Sequence, residues 1–203
     1  MKNILVSQSI VYDSKTKVFK DQLDNQVINY LIKLNYVPIT ISNGLKDPKA
    51  FIRKTNISGI VLTGGANIGV YLKRDRLEKF LIDYSIKKKI PLLGICRGMQ
   101  IINHFFNGNL KRISNHVRTR HLIKSKYSKK MYIVNSYHEY CINEKKMNHN
   151  IIPIYRHAKD NSIESFIHNK HKILGIMWHP EREKKVRNFD KKIIQKFFKK
   201  IEL

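Results

Sequence analysis

Apolar and polar positions change period along the chain in a repeating order. Asn3 to Gln8 is a short apolar run with the character of a first strand. Tyr12 to Lys20 is polar and reads as a loop that could reach over a site. From Asp21 to Leu34 the apolar residues Leu23, Val27, Ile28, Leu31 and Ile32 recur at helical spacing. Tyr36 to Ile41 is a second strand, closed by the turn Ser42-Asn-Gly44. Asp47 is a helix cap followed by Pro48 at the first helical position, which opens a short helix through Lys54. Gly59 to Leu62 is a third strand, and Asp75 to Lys89 an amphipathic helix with Leu77, Phe80, Leu81 and Tyr84 inward. Lys87 to Lys89 suit the negative end of that helix and need no functional explanation.

Leu92 to Ile95 is a buried strand, and Met99, Ile101, Ile102, Phe105 and Phe106 after it recur as a helix. Beyond the turn at Asn107-Gly-Asn109, Met131 to Ser136 and Ile151 to Tyr155 read as strands. Ser162 to Ile167 and Lys172 to Trp178 form a hairpin around His168–His171, and Arg187 to Ile201 is a closing helix with Ile193, Ile194, Phe197, Phe198 and Ile201 inward. Strands alternating with helices predict an α/β fold: a doubly wound, mostly parallel sheet flanked by helices. No repeat or Pro/Gly-rich linker breaks the chain, so residues 1–203 are expected to be one domain.

Chemistry enters at Cys96. It stands where a strand becomes a helix, with Gly94 and Gly98 two positions to either side. A sharp turn there presents the thiol at a helix N-terminus, which lowers its pKa: a nucleophile elbow. The alternative at this point is an inert buried cysteine. A nucleophile needs a base and an orienting acid. His179 ends the last apolar strand, and Glu181 follows by two residues, so both side chains can point the same way in an extended segment. Pro180 favours that extension. Thr63-Gly64-Gly65, after the third strand, is either an ordinary turn or a place where bare backbone N–H groups face an oxyanion.

Gly-Ile-Cys96-Arg97-Gly-Met-Gln100 together with Trp178-His179-Pro180-Glu181 resembles the class I glutamine amidotransferase superfamily, in its γ-glutamyl hydrolase branch. Leu62-Thr-Gly64-Gly65, Val134-Asn-Ser136-Tyr137-His138 and Ala158-Lys-Asp160-Asn-Ser-Ile-Glu164 resemble further segments of the branch, in its order. The resemblance implies a flavodoxin-like sheet with a catalytic triad of Cys96, His179 and Glu181. It implies an oxyanion hole from the backbone of Gly65 and Arg97, and glutamyl recognition by Gly64, Gln100, Ser136, Tyr137 and His138. The implied reaction is hydrolysis of a γ-glutamyl amide through a thioester, with no metal or organic cofactor. The family often continues Gly-Gly-x-Asp where this chain has Ala66-Asn67, and a Gly-Gly-Thr-Leu-like turn where it has Asn107-Gly-Asn-Leu110.

Composition bounds the leaving group only loosely. Forty basic against 15 acidic residues give a net charge of +25, which favours an anionic partner. The lysines are scattered, as compositional bias would also leave them. The densest basic run is Lys111 to His121, whose Arg118 and Arg120 either clamp a diphosphate or lie on a solvated loop. Arg74, Arg76 and Arg156 are further hints of an anionic acceptor. Within the branch that the motifs resemble, the resemblance taken with this basic character implies γ-glutamyl-CDP-amidate as the leading substrate. The alternatives are γ-glutamyl-γ-aminobutyrate or another γ-glutamyl amine, a glutaminase subunit feeding ammonia to a separate synthetase, and, weakest given the intact Cys96, His179 and Glu181, a nucleic-acid binder. A homodimer stays open. Cys141 has no motif and is expected to be structural. No apolar stretch approaches the ~18 residues of a membrane span, and the N-terminus reads as a strand rather than a leader. Two cysteines without a disulfide framework suit the cytoplasm.

Overall fold

The structure, a computed structural model, describes residues 1–199. Its first half runs β1 (Lys2–Ser7), β2 (Ser9–Asp13), β3 (Val18–Gln22), α1 (Asn25–Lys33), β4 (Tyr36–Ile41), α2 (Pro48–Thr55), β5 (Gly59–Leu62), α3 (Leu72–Lys88), β6 (Leu92–Ile95) and α4 (Arg97–Phe105). The second half runs β7 (Leu110–Arg112), β8 (Val117–Ser125), β9 (Met131–Tyr137), β10 (Tyr140–Ile142), β11 (Ile151–His157), β12 (Ile163–His168), β13 (Ile173–Ile176) and α5 (Asn188–Phe198).

Nine strands form one sheet in the order β4-β1-β5-β6-β13-β12-β11-β8-β9. From β4 to β13 the pairs are parallel, and from β13 to β9 they are antiparallel. Every residue of β5, β6 and β13 is buried, as expected for strands covered on both faces. Successive residues of β1 feed opposite faces. Ile4 and Val6 join Leu31, Ile95, Trp178 and Phe198 on one side, while Leu5 joins Leu62, Leu81, Met99 and Phe166 on the other. The α/β class and the flanking helices are as the periodicity predicts, and the antiparallel half follows from the hairpins after α4.

This strand order does the positioning. β5, β6 and β13 are neighbours, with Leu62 opposite Gly94 and Ile95 opposite Ile176. Their carboxyl ends lead to Gly64, Cys96 and His179, so three segments far apart in sequence open on one spot.

Some expectations need correction. Tyr12 to Lys20 is no loop: it lies in the β2–β3 hairpin, with Tyr12 opposite Phe19 and their rings 5.0 Å apart. An arm exposed on both faces needs no apolar alternation, so hydrophobic period cannot reveal it; the cross-strand aromatic pair helps hold it. Helix α1 starts at Asn25 rather than Asp21, because Asp24 caps it through the Gln26 N–H at 2.9 Å. Helix α3 starts at Leu72, before Asp75, because Arg74 and Asp75 are buried by ion pairing rather than by apolarity. The basic run Lys111 to His121 takes in the end of β7 and the start of β8, through Val117 to His121, rather than a plain loop. Asp47 caps α2 through the Ala50 N–H at 2.8 Å with Pro48 leading, as read. Ile201 lies outside the described residues. Among those described, no helix is long and apolar enough to cross a membrane.

Candidate active site

Cys96 closes β6 with φ +52° and ψ −107°, a conformation that non-glycine residues rarely adopt, and α4 begins at the next residue. The packing around it forces the turn. A Cβ on Gly94 would come within 2.5 Å of the Gly98 carbonyl, and one on Gly98 would overlap the Leu62 carbonyl. The two glycines therefore let β5, β6 and α4 approach more closely than side chains allow. The Cys96 N–H donates to the Ile176 carbonyl at 2.8 Å, and its carbonyl accepts from Gln100 N at 3.1 Å.

His179 is fixed by Asn135 of β9. Its N–H donates to Asn135 Oδ1 at 2.8 Å, and its carbonyl accepts from Asn135 Nδ2 at 2.7 Å. On the ring, Nδ1 lies 2.6 Å from Glu181 Oε1. A carboxylate only accepts, so Nδ1 carries the proton and Nε2 is left for the thiol. Gly64 lies directly beside the pair: a Cβ there would meet His179 Cε1 at 2.9 Å and Cys96 Cβ at 3.8 Å. Burial pushes the Cys96 thiol up, but the His179 cation, its hydrogen bond and His138 outweigh burial and hold it below the ordinary thiol range. Burial likewise disfavours the His179 cation, but Cys96 and Glu181 overcome it and push His179 up to about 10. Both shifts favour a thiolate beside an imidazolium.

Gly65, at φ +134°, turns the chain after β5. Beneath it is a buried charge cluster. Arg74 Nη2 donates to the Thr63 and Gly64 carbonyls at 2.8 and 2.9 Å, and Arg74 Nε to Glu78 Oε1 at 2.9 Å. Glu78 also accepts from Ser7 Oγ at 2.8 Å and from Arg97, whose guanidinium reaches Asp75 as well. One cluster thus anchors both the Gly64–Gly65 turn and the residue after Cys96. Two cavities meet at Gly65. One, of 360 Å³, is lined by Cys96, Arg97, Gln100, Tyr137 and His138; the other, of 450 Å³, by Ser9, Gly64, His179, Glu181 and Arg182.

Residues 1–201 match the family model described as glutamine amidotransferase class-I. The chain belongs to this family. It is 38% identical to the γ-glutamyl-CDP-amidate hydrolase of Campylobacter jejuni, over 70% of each chain. It is 28% identical to the arginine-specific small chain of carbamoyl phosphate synthase from Bacillus subtilis, over 70% of this chain but 34% of that one. PurLQS from Thermotoga maritima shares the fold, with a TM-score of 0.69 at 19% identity over 97% of this chain and 98% of that one.

Within this class I glutamine amidotransferase fold, the residues expected around a glutamyl group take different stations. Gln100 Nε2 donates to the Tyr140 carbonyl at 3.1 Å at the cavity wall. Tyr137 stands edge-on to the His179 ring at 5.5 Å, with the Arg182 guanidinium 4.7 Å from its centroid. His138 donates from Nδ1 to the Tyr140 carbonyl at 3.0 Å, and its Nε2 meets His116 Nδ1 at 3.2 Å. Ser136 is fully buried and donates to the His116 carbonyl at 2.6 Å, so it shapes the wall from behind. Arg118 and Arg120 are not among the residues lining the Cys96 cavity. Arg118 is exposed at φ +52°, and Arg120 forms a two-pronged ion pair with Glu183 at 3.1–3.3 Å. Arg156 is paired with Glu144, and Arg74 is buried in the cluster described above. Sequence reasoning missed the Arg74–Glu78–Arg97–Asp75 cluster and Arg182. The i, i+4 spacing of Arg74 and Glu78 was the available signal, but it reads equally as a solvated helix face.

Proposed function

We propose that the chain is a cysteine-dependent hydrolase of a γ-glutamyl amide. The observation that carries this reading is the strained Cys96 turn set against His179, with Glu181 2.6 Å from the other ring nitrogen. The Cys96 thiolate attacks the γ-carbonyl. The N–H groups of Gly65 and Arg97 receive the oxyanion, a contribution of about 3–4 kcal/mol for one such donor. The His179 imidazolium gives its proton to the departing nitrogen, leaving a γ-glutamyl thioester. Neutral His179 then takes a proton from water as that water attacks the thioester. Glutamate leaves, and the thiolate–imidazolium pair is restored. Glu181 holds the tautomer and stabilises the cation.

The leading substrate is γ-glutamyl-CDP-amidate, cleaved to glutamate and cytidine diphosphoramidate for capsule phosphoramidate synthesis. The 38% identity to the Campylobacter jejuni enzyme and the basic surface support it. The similarity to a carbamoyl phosphate synthase small chain favours a second reading, a glutaminase that passes ammonia to a synthetase. Glutamate release from γ-glutamyl-CDP-amidate, γ-glutamyl-γ-aminobutyrate, γ-glutamyl-putrescine and glutamine separates these readings. Preferred turnover of the nucleotide compound, lost in Cys96→Ala, is the expected result. Turnover of glutamine alone, and only with an added synthetase, would overturn it. Arg118→Ala should raise KM for the nucleotide compound more than Arg120→Ala does, since Glu183 already engages Arg120.

A further inference from the structure

Away from the thiol, three imidazoles and two carboxylates gather where β8, β11 and β12 adjoin. His116 precedes β8, His121 lies in it, His157 ends β11, Asp160 sits in the following turn, and Glu164 is in β12. The rings of His116, His121 and His157 are mutually inclined by 61–65°, with centroids 4.4–4.9 Å apart, like three blades around one axis. One nitrogen from each falls within 4.8 Å of the others. Asp160 Oδ2 joins them, 2.7 Å from His116 Nε2 and 2.9 Å from His157 Nδ1. The three imidazoles and Asp160 all line a cavity of 940 Å³, so the cluster can be reached from outside.

Hydrogen bonds tie His116 to Asp160 Oδ2 and the Asp160 N–H to His157 Nδ1 at 3.2 Å, but they do not account for His121 or Glu164. The His121 side chain is 7% exposed, yet neither of its ring nitrogens makes a hydrogen bond. Glu164 is wholly buried, and neither of its oxygens makes one either. Its carboxylate stands 3.4 Å from His121 Nε2, 3.5 Å from His138 Nε2 and 3.6 Å from His116 Nδ1. Glu164 has these imidazoles as ion-pair partners, but among the described residues His121 Nδ1 has none, and leaving a buried polar group unpaired is costly. A carboxylate behind one nitrogen of an imidazole, with the other nitrogen free, is how metal-binding histidines are oriented.

We propose that His116, His121, His157 and Asp160 form a divalent transition-metal site, best suited to zinc, with Glu164 orienting two of the imidazoles. Neutral nitrogen donors with one carboxylate select such ions over magnesium or calcium. Zinc–nitrogen bonds of about 2.0–2.1 Å in a tetrahedron put imidazole centres roughly 5 Å apart, so the rings need open by less than about 1 Å. Two carboxylates among imidazoles offer the negative charge that a dication neutralises. The ion ties β8, β11 and the turn into β12 together, and takes no part in the hydrolysis.

The test uses the full-length Cys96→Ala chain, which removes the accessible thiol, stripped with a chelator and titrated with Co²⁺. Saturation at one equivalent is expected, with the visible bands of four- or five-coordinate cobalt and no sulfur charge-transfer band. His121→Ala should weaken binding by more than about tenfold, and Asp160→Asn by about tenfold. His168→Ala, in the separate stack with His171, should change nothing. Zn²⁺ should raise the melting temperature of the Cys96→Ala chain but not of its His121→Ala derivative. Absence of cobalt bands, undiminished binding in His121→Ala, or loss of binding in His168→Ala would overturn the site. Should His121→Ala fail to fold, undiminished binding by Asp160→Asn, on a partly exposed turn, would do so.

Discussion

Glu78→Gln isolates the link between the buried charges and the active site. Glu78 is fully buried and receives Ser7, Arg74 and Arg97 at once. With Asp75 it balances two guanidiniums, so the cluster is neutral: Arg74 and Arg97 against Asp75 and Glu78. The amide keeps the shape but removes one negative charge and turns an acceptor into a donor facing guanidinium. Breaking a buried pair from one side typically costs about 3–5 kcal/mol, because a charge is left uncompensated. For a chain of this size that is a fall in melting temperature of roughly 6–20 °C. Arg74 also holds the Thr63 and Gly64 carbonyls, so the Gly65 N–H should shift and kcat fall by up to about 10²-fold, as for a misplacement near 1 Å. Urea unfolding monitored by Trp178 fluorescence reads the stability, and glutamate release reads kcat. The double variant Glu78→Gln/Arg74→Gln restores neutrality and should recover part of the stability. A loss below about 1 kcal/mol, or strictly additive losses in the double variant, would refute charge imbalance as the cause.

Three further outcomes follow from the site. Because the Cys96 thiol is held below its ordinary range and His179 is raised to about 10, the thiolate–imidazolium pair should persist through neutral pH and be lost as pH rises through about 10. Iodoacetamide alkylation should therefore show a midpoint below the ~8.5 of a free thiol, His179→Ala should move that midpoint up, and Glu181→Gln should bring the alkaline limb of kcat/KM down. Gly64→Ala should displace the His179 ring, since its Cβ would lie 2.9 Å from Cε1, and lower kcat more than thermal stability; an unchanged kcat would mean the ring has room to yield. Cys141→Ala should leave glutamate release intact at a stability cost of roughly 1 kcal/mol, because Cys141 is fully buried and burial pushes its thiol up, away from the reactive form.

Much of this protein was legible in one dimension. The strands β5, β6 and β13 are continuous apolar runs, and the elbow announces itself as glycine, cysteine, glycine at intervals of two. The pairing of His179 with Glu181 was read from their spacing. The extended segment expected there is instead a 3-10 turn over Pro180–Arg182, in which the Arg182 N–H donates to the His179 carbonyl at 3.1 Å. Caps such as Asp47 before Pro48 are local chemistry. All of these are short-range signals, written within a few residues of where they act. The tertiary structure decided what depends on partners distant in sequence. Only the strand order brings Gly64, Cys96 and His179 to one place. Only packing distinguishes Arg74 and Glu78 from an exposed helix pair, since a buried charge and a solvated one look alike until its partner is known. Arg120 could not be seen to face Glu183, 63 residues away, until β8 and the segment after β13 were set side by side. His116, His121 and His157 likewise show no ligand spacing along the chain; the antiparallel pairing of β8 with β11 brings them together.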